Sequence, residues 1–159
     1  MIPDETATEQ RMDFNGRNMD ASDCEAWADM RMSLFPEETR AMHARWIEDM
    51  LAGKDAWGFI AESIDGTPAA FAEMSIRKYA NGCDSQPVPF LEAIFVRPQF
   101  RRQGAGAQLI AYMETFLTAR GFRELGSDAL IDNHASHAAH RRWGFSEMER
   151  VVYFRKLLT

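Results

Sequence analysis

Arg101-Arg102-Gln103-Gly104-Ala105-Gly106 decides how this chain is read, because of what flanks it. Upstream, Phe90–Val96 is an apolar run interrupted only by Glu92, the pattern of a buried strand. Downstream, Leu109, Ile110, Met113, Phe116 and Leu117 recur on one helical face, and Gly121 ends that helix. The segment is therefore a strand-to-helix junction. A helix start leaves backbone N–H groups without intrahelical acceptors and concentrates positive potential there. Glycines let a diphosphate approach those amides, and Arg101 and Arg102 add positive charge to an otherwise acidic chain. The pattern alone also fits a tight turn with no ligand. It is not a dinucleotide or P-loop fingerprint, since neither G-x-G-x-x-G nor Gly-Lys-Ser/Thr is present.

Outward from the junction, the chain alternates helix and strand signals. Ser22-Asp23-Cys24-Glu25 has the form of a capping box ahead of Trp27, Met30 and Leu34, and Phe35-Pro36 should stop that helix. A second amphipathic helix carries Met42, Trp46, Met50 and Leu51 on one face and ends at Gly53; Trp27 and Trp46 are expected in the core. Trp57–Ala61 and Ala69–Ile76 read as strands joined through the turn signal Asp65-Gly66. Asn81–Pro87 is a loop by composition. Glu124–Ala129 is a short strand, Asn133–Trp143 a helix closed by Gly144, and Val151–Phe154 a last strand. The class is α/β, a mixed central sheet with helices packed on it, in a single domain. Residues 1–12 are polar and aperiodic, a flexible extension ahead of a domain spanning 13–159.

The bulk properties narrow the function. With 159 residues and 46% hydrophobic content, the chain can bury a core. A formal net charge of −6 argues against nucleic acid and fits a cationic partner better. Cys24 and Cys83 are too few for a disulfide framework or a zinc site, and a reducing cytoplasm is the simplest home. No membrane-spanning run or signal peptide is expected. His134 and His137 read as helix-surface residues, and no metal is expected.

Arg101 to Gly106 resembles the signature of the GNAT acetyltransferases: Gln or Arg, two residues, Gly, one residue, then Gly or Ala. A second family element follows in the right order, Asn133, His140 and Gly144-Phe145. The resemblance runs from about residue 20 to the end. Ser75-Ile76-Arg77, Tyr79-Ala80-Asn81-Gly82, Pro87 to Val96, Ser127-Asp128 and Asp132-Asn133 narrow it to one branch, the bacterial aminoglycoside 6′-N-acetyltransferases. The resemblance implies the GNAT fold and acetyl-CoA as cosubstrate. It also implies direct attack of the 6′-amine on the thioester, antibiotic resistance and a homodimer. Arg101, Arg102, Gln103, Gly104, Ala105, Gly106 and Ala107 would cradle the diphosphate. Ile94, Phe95 and Val96 would meet the pantetheine arm, and Asn133 would approach the cofactor. Phe35, Glu38, Tyr79, Glu92, Asp128 and Glu149 would bind the acceptor. Three positions depart from the branch: Ala93 replaces a usual Gly, Phe35 a usual Trp, and Glu38 a frequent His. The last two bear on acceptor range. They keep open a GNAT enzyme for another amine, a polyamine or a peptide amine. Ala93 keeps open a non-catalytic acyl-CoA sensor.

Acetyl transfer to an amine needs a held thioester and a neutral nucleophile. An alkyl amine arrives protonated, so a carboxylate that binds the cation and relays its proton through water suits the site. Glu92 and Asp128 are the candidates. Read without the family, Glu92 is as easily an ion-pair partner of a nearby Arg, Asp128 a turn residue, Glu149 a solvated charge and Tyr79 a cap on the core. His140 stands where many GNAT proteins carry a tyrosine general acid. Without the family, it is a packed residue on a helix face. Neither cysteine is required as a nucleophile.

Overall fold

The computed structural model describes residues 13–158, so the expected extension over 1–12 lies outside the described residues. Among the described residues, five strands form one sheet in the order β1 (Phe14–Asn18), β2 (Ala56–Ser63), β3 (Pro68–Arg77), β4 (Val88–Val96) and β5 (Gly126–Ser127). The first four are mutually antiparallel and β4 pairs β5 in parallel, so the sheet is mixed. Helix α3 (Ala105–Thr118) covers one face, where Leu109, Ile110, Met113 and Leu117 pack on Phe59, Ala61, Ala70, Ala72 and Leu91. Helices α1 (Cys24–Leu34) and α2 (Arg40–Ala52) cover the other, with Trp27, Met30, Ile47 and Met50 against Ile60, Phe71 and Ala93. Helix α4 (His134–Arg142) completes the set, and its C-terminal Trp143 packs beside α3.

The central hairpin forms where the sequence places it. Gly66 takes φ +82°, which the turn between β2 and β3 needs and which costs glycine little. Gly58 has a different task. A Cβ there would stand 2.2 Å from Trp27 Cη2, so its bare backbone lets the fully buried indole lie on the sheet.

One irregularity matters for function. Glu73 of β3 faces Ala93 and Met74 faces Leu91, so Glu92 is the extra residue of a β-bulge. The bulge changes which face β4 side chains enter. Leu91, Ile94 and Val96 pack toward α3, while Ala93 and Phe95 pack toward α1.

Several sequence expectations are corrected. The stretch Phe14–Asn18 is a strand that its short polar pattern does not announce; it pairs along β2, and Arg17 bridges Asp23 and Glu62. The capping box is Asp20 with Asp23, and it opens a single 3-10 turn ahead of α1, so Ser22 does not cap. The buried face of α2 is His43, Ile47 and Met50, one residue round from the expected face; Met42 and Trp46 are 54% and 47% exposed. The strand expected over Glu124–Ala129 shrinks to Gly126–Ser127. Val151–Phe154 is no strand: residues 145–158 have no regular structure and pair with no strand among the described residues.

Candidate active site

The site lies where β4 and β5 part. They share only the pairs Phe90–Gly126 and Leu91–Ser127. From Glu92 onward, β4 has no strand on that side among the described residues, so the Glu92–Val96 edge is open. Gly126 keeps the closed end tight, since a Cβ there would meet Phe90 at 2.8 Å. Ile94, Phe95 and Val96 lie on the open stretch, each partly exposed.

After Val96 the chain turns through Pro98–Phe100 into the glycine segment. Arg102 takes φ +62° and Gly104 φ +104°, a left-handed pair that aims the following amides outward from the start of α3. No side chain caps this helix, and the N–H of Gln108, bonded to Gly104 O, begins the intrahelical ladder. The earlier amides of Ala105, Gly106 and Ala107 are thus unspent within the helix. Two buried polar atoms, Gln103 Oε1 in the segment and Arg97 Nε just before it, also have no partner among the described residues. An unspent helix start beside an unpaired guanidinium N–H fits an anionic group such as a diphosphate. Arg101 is partly committed: its Nε donates to Val96 O at 3.0 Å and its guanidinium lies over the Phe95 ring. Gln103 Nε2 donates to Gln99 O at 2.8 Å.

Glu92 sits on the bulge with its carboxylate fully engaged. Arg77 donates to it twice, at 2.9 and 2.6 Å, and Ser75 Oγ donates a third bond. Partial burial works to raise the Glu92 carboxyl. The hydrogen bonds from Arg77 and Ser75 outweigh it and hold the group below the usual carboxylate range. The Arg77 guanidinium stacks on the Phe90 ring at 3.5 Å, and its pKa is raised by the Glu92 bonds and also by the charge of Asp128. Glu92, Arg77 and exposed Asp128 therefore form one charged group at the mouth of the opening. The ion pair with a nearby arginine that the sequence allowed is present, and Glu92 also borders the open edge.

His140 Nδ1 contacts the Ser136 carbonyl at 2.8 Å, and a carbonyl can only accept, so Nδ1 carries the proton. In the neutral ring, Nε2 then accepts from Ser127 Oγ at 2.8 Å. This arrangement suits a proton acceptor or an anchor for Ser127 more than a general acid. Asn133 caps α4, its Oδ1 accepting from Ser136 N at 3.0 Å, which sets the first turn of the helix.

The remaining acceptor candidates are more scattered. Phe35 and Glu38 lie in the α1–α2 loop, packed around Arg31. Tyr79 is 67% exposed in the β3–β4 loop. Glu149 is exposed and makes no ion pair among the described residues, but its neighbour Met148 brings it to that loop: a Cβ on Gly82 would lie 3.0 Å from Met148 Cβ. Arg77 and Arg31 are the residues the sequence reading passed over. Arg31 follows Trp27 by one helical turn, and Glu73 breaks an apolar strand as Glu92 does. Among the described residues, no cluster of three or more His, Cys, Asp or Glu is arranged for a metal.

Comparison with known proteins agrees with this geometry. The acetyltransferase (GNAT) family model matches residues 24–145. The chain is 42% identical to an aminoglycoside N(6′)-acetyltransferase type 1 of Salmonella enteritidis, over 88% of this chain and 97% of the relative. It is 40% identical to one from Serratia marcescens, over 87% and 96%. Among solved structures, AAC(6′)-Iy bound to the bisubstrate analogue CoA-S-monomethyl-acetylneamine superposes with a TM-score of 0.85 at 40% identity, covering 92% of this chain and 99% of that one. The Acinetobacter baumannii 6′-N-acetyltransferase AAC(6′)-Ih gives a TM-score of 0.85 at 34% identity, covering 92% and 100%. With an open β4 edge running into an uncapped, glycine-built helix start, and with relatives matched over nearly their whole length, this chain belongs to the GNAT acetyltransferase family, among the aminoglycoside 6′-N-acetyltransferases.

Proposed function

We propose that this protein transfers the acetyl group of acetyl-CoA to the 6′-amine of aminoglycosides and so confers resistance to them. The observation that carries the reading is the pairing of two opposite charge preferences along one strand. The N-terminus of α3 at the end of β4 favours a diphosphate. Glu92 on the β4 bulge, with Asp128 nearby, favours a cation.

The chain's own groups divide the work. The unspent amides of Ala105, Gly106 and Ala107 bind the diphosphate of acetyl-CoA. The open edge of Ile94, Phe95 and Val96 aligns the pantetheine arm, and a backbone N–H there polarises the thioester carbonyl. Glu92 receives the acceptor ammonium and passes its proton to water, so that the free amine attacks. Arg77 then serves as the resident cation that the acceptor displaces. No covalent enzyme intermediate is needed. Burial pushes the Cys83 thiol up, which makes it a poor nucleophile, and acidic neighbours add to that effect.

The same reading includes a homodimer in the cytoplasm. Tyr153, Phe154, Leu157 and Leu158 are 73–94% exposed along the C-terminal segment, a strip of apolar surface that association would cover. No described helix is long and apolar enough to cross a membrane.

The decisive test follows CoA release with kanamycin or tobramycin and then locates the acetyl group by NMR. Turnover with acetylation at N6′ is expected. No turnover with any 6′-amino aminoglycoside at high enzyme overturns the proposal, and turnover confined to polyamines or peptide amines selects the alternative acceptor class.

A further inference from the structure

Beneath the α1–α2 loop lies a buried ionic cluster that the acetyl-transfer chemistry does not use. Glu73 of β3 is 1% exposed, yet its carboxylate is saturated. Oε1 accepts from Trp27 Nε1 at 2.7 Å, and Oε2 accepts from Arg31 Nη1 and from Trp46 Nε1 at 3.2 Å. Arg31, 4% exposed, is the hub. Its Nε donates to His43 Nδ1 at 3.2 Å, and its Nη2 lies 3.6 Å from Glu38 Oε2. The rings of Phe35 and Trp46 sit 4.9 and 5.1 Å from the guanidinium carbon, within cation–π range. His43 Nδ1 also lies 3.3 Å from Glu38 Oε2, so Arg31, His43 and Glu38 meet at one point.

An ion pair this deep is not an economical way to fasten a helix to a sheet. Desolvation opposes it, and apolar side chains of similar volume commonly hold such a contact as well or better. What the pair supplies is direction. A planar guanidinium, gripped from below by Glu73, fixes the two aromatic rings and one carboxylate around it. Glu73 balances the Arg31 charge from below, and Glu38, with its side chain 36% exposed, is the carboxylate of the group that reaches the surface. Glu73 also faces Ala93 across the strands, next to the bulged Glu92. The cluster thus ties the α1–α2 loop to the strand position that carries the acceptor carboxylate.

We propose that Arg31 is a positioning residue for the acceptor: held by Glu73, it sets Phe35, Trp46 and Glu38 as one wall against which the polyamino sugar docks. Trp46 is the member that no sequence reading placed there. Its N–H is anchored to Glu73 while about half of its surface stays open, which is how an indole is presented to a sugar ring. This inference rests on the aminoglycoside acetyltransferase reading above.

The test measures steady-state constants for kanamycin and for acetyl-CoA in wild type, Arg31→Lys, Trp46→Ala and the paired variant Arg31→Met/Glu73→Leu. Lysine keeps the charge but loses the planar stack and fork. The expected result is a tenfold or greater rise in the kanamycin KM for Arg31→Lys and Trp46→Ala, with the acetyl-CoA KM unchanged. The paired variant removes both charges together and is expected to stay folded by circular dichroism while its kanamycin KM rises. A general loss of structure would instead move both KM values and kcat together. Trp46→Ala keeps the test valid if the buried variants fail to fold, because Trp46 is 47% exposed and its loss leaves Arg31 still paired with Glu73. Wild-type kanamycin KM in folded Arg31→Lys and Trp46→Ala overturns this inference alone. Absence of aminoglycoside turnover by the wild type overturns the underlying reading and this one with it.

Discussion

Replacing Glu92 with Gln isolates the charge at the centre of the proposed acceptor site. The amide keeps the size of the side chain and can still meet Ser75, but Arg77 loses its bidentate partner. In the free protein this loss is modest. The Arg77 side chain is 39% exposed and rehydrates, so the ion pair is discounted to about 0–1 kcal/mol of stability. Its pH dependence has a definite sign. The Glu92 carboxyl is held below its ordinary value, so its contribution is complete above the unfolded pKa of about 4.3 and is lost as pH falls through the lower folded value. The stability gap between wild type and Glu92→Gln should therefore be flat from neutral pH down to about 5 and close only in stronger acid. Catalysis is more sensitive. A hydrogen bond to a charged group contributes about 1.5–3 kcal/mol, and each 1.36 kcal/mol is roughly tenfold in rate. Losing the carboxylate–ammonium contact alone lowers kcat/KM for the aminoglycoside about 10- to 150-fold. A lost proton relay takes kcat down by about 100-fold or more again. The assay is CoA release against kanamycin concentration at saturating acetyl-CoA, with the acetyl-CoA KM measured separately and expected to be unchanged. A kcat/KM for kanamycin equal to wild type would falsify the role of Glu92.

Other outcomes follow from the same geometry. Gly106→Ala places a Cβ 2.7 Å from Trp143 Cζ2, so α3 and the Trp143 ring must separate. Such overpacking costs about 1–3 kcal/mol, which thermal melts should read as a fall of roughly 2–12 °C, together with a raised KM for acetyl-CoA. Buried Asp23 is held below the usual carboxylate range by its hydrogen bonds from Arg17, against the opposing effect of burial. Its contribution is present above about pH 4 and is lost as pH falls through its folded value, so Asp23→Asn should destabilise at neutral pH and flatten the acid limb of a urea-denaturation series. The double variant Cys24→Ser/Cys83→Ser should keep the wild-type kcat, because transfer is direct; a kcat loss with wild-type stability would point to a covalent acyl-enzyme.

Much of this molecule is legible one segment at a time. The strands from Trp57 to Val96 announce themselves as apolar runs because helices cover both faces of the sheet, and the helix from Ala105 does so because its one buried face imposes a period that local sequence records. The Asp65-Gly66 turn and the glycines of the α3 junction are legible for a related reason. Only a few residue types tolerate those backbone angles, so their presence marks the place. The candidate cosubstrate site, built from contiguous residues, belongs to this class.

The acceptor side does not. Its character rests on a bulge that makes Glu92 the extra residue against β3, on Arg77 reaching Glu92 across the strand pair, and on Arg31 meeting Glu73 from 42 positions away. No local period encodes a register shift or a long-range ion pair. The same reason explains β1, whose hydrogen bonds come from β2, and the rotated face of α2, where burying His43 against Arg31 leaves Trp46 at the surface. It also bears on Val151–Phe154, a strand-like run that stays irregular because a strand needs a neighbour and the described residues supply none. The sequence by itself determined the layered fold and the glycine-built helix start proposed to hold a diphosphate, which depend on periodicity and on the few residue types that tolerate its backbone angles. Only the tertiary structure decided which charges meet at the proposed acceptor end, because pairing there depends on where distant segments come to rest.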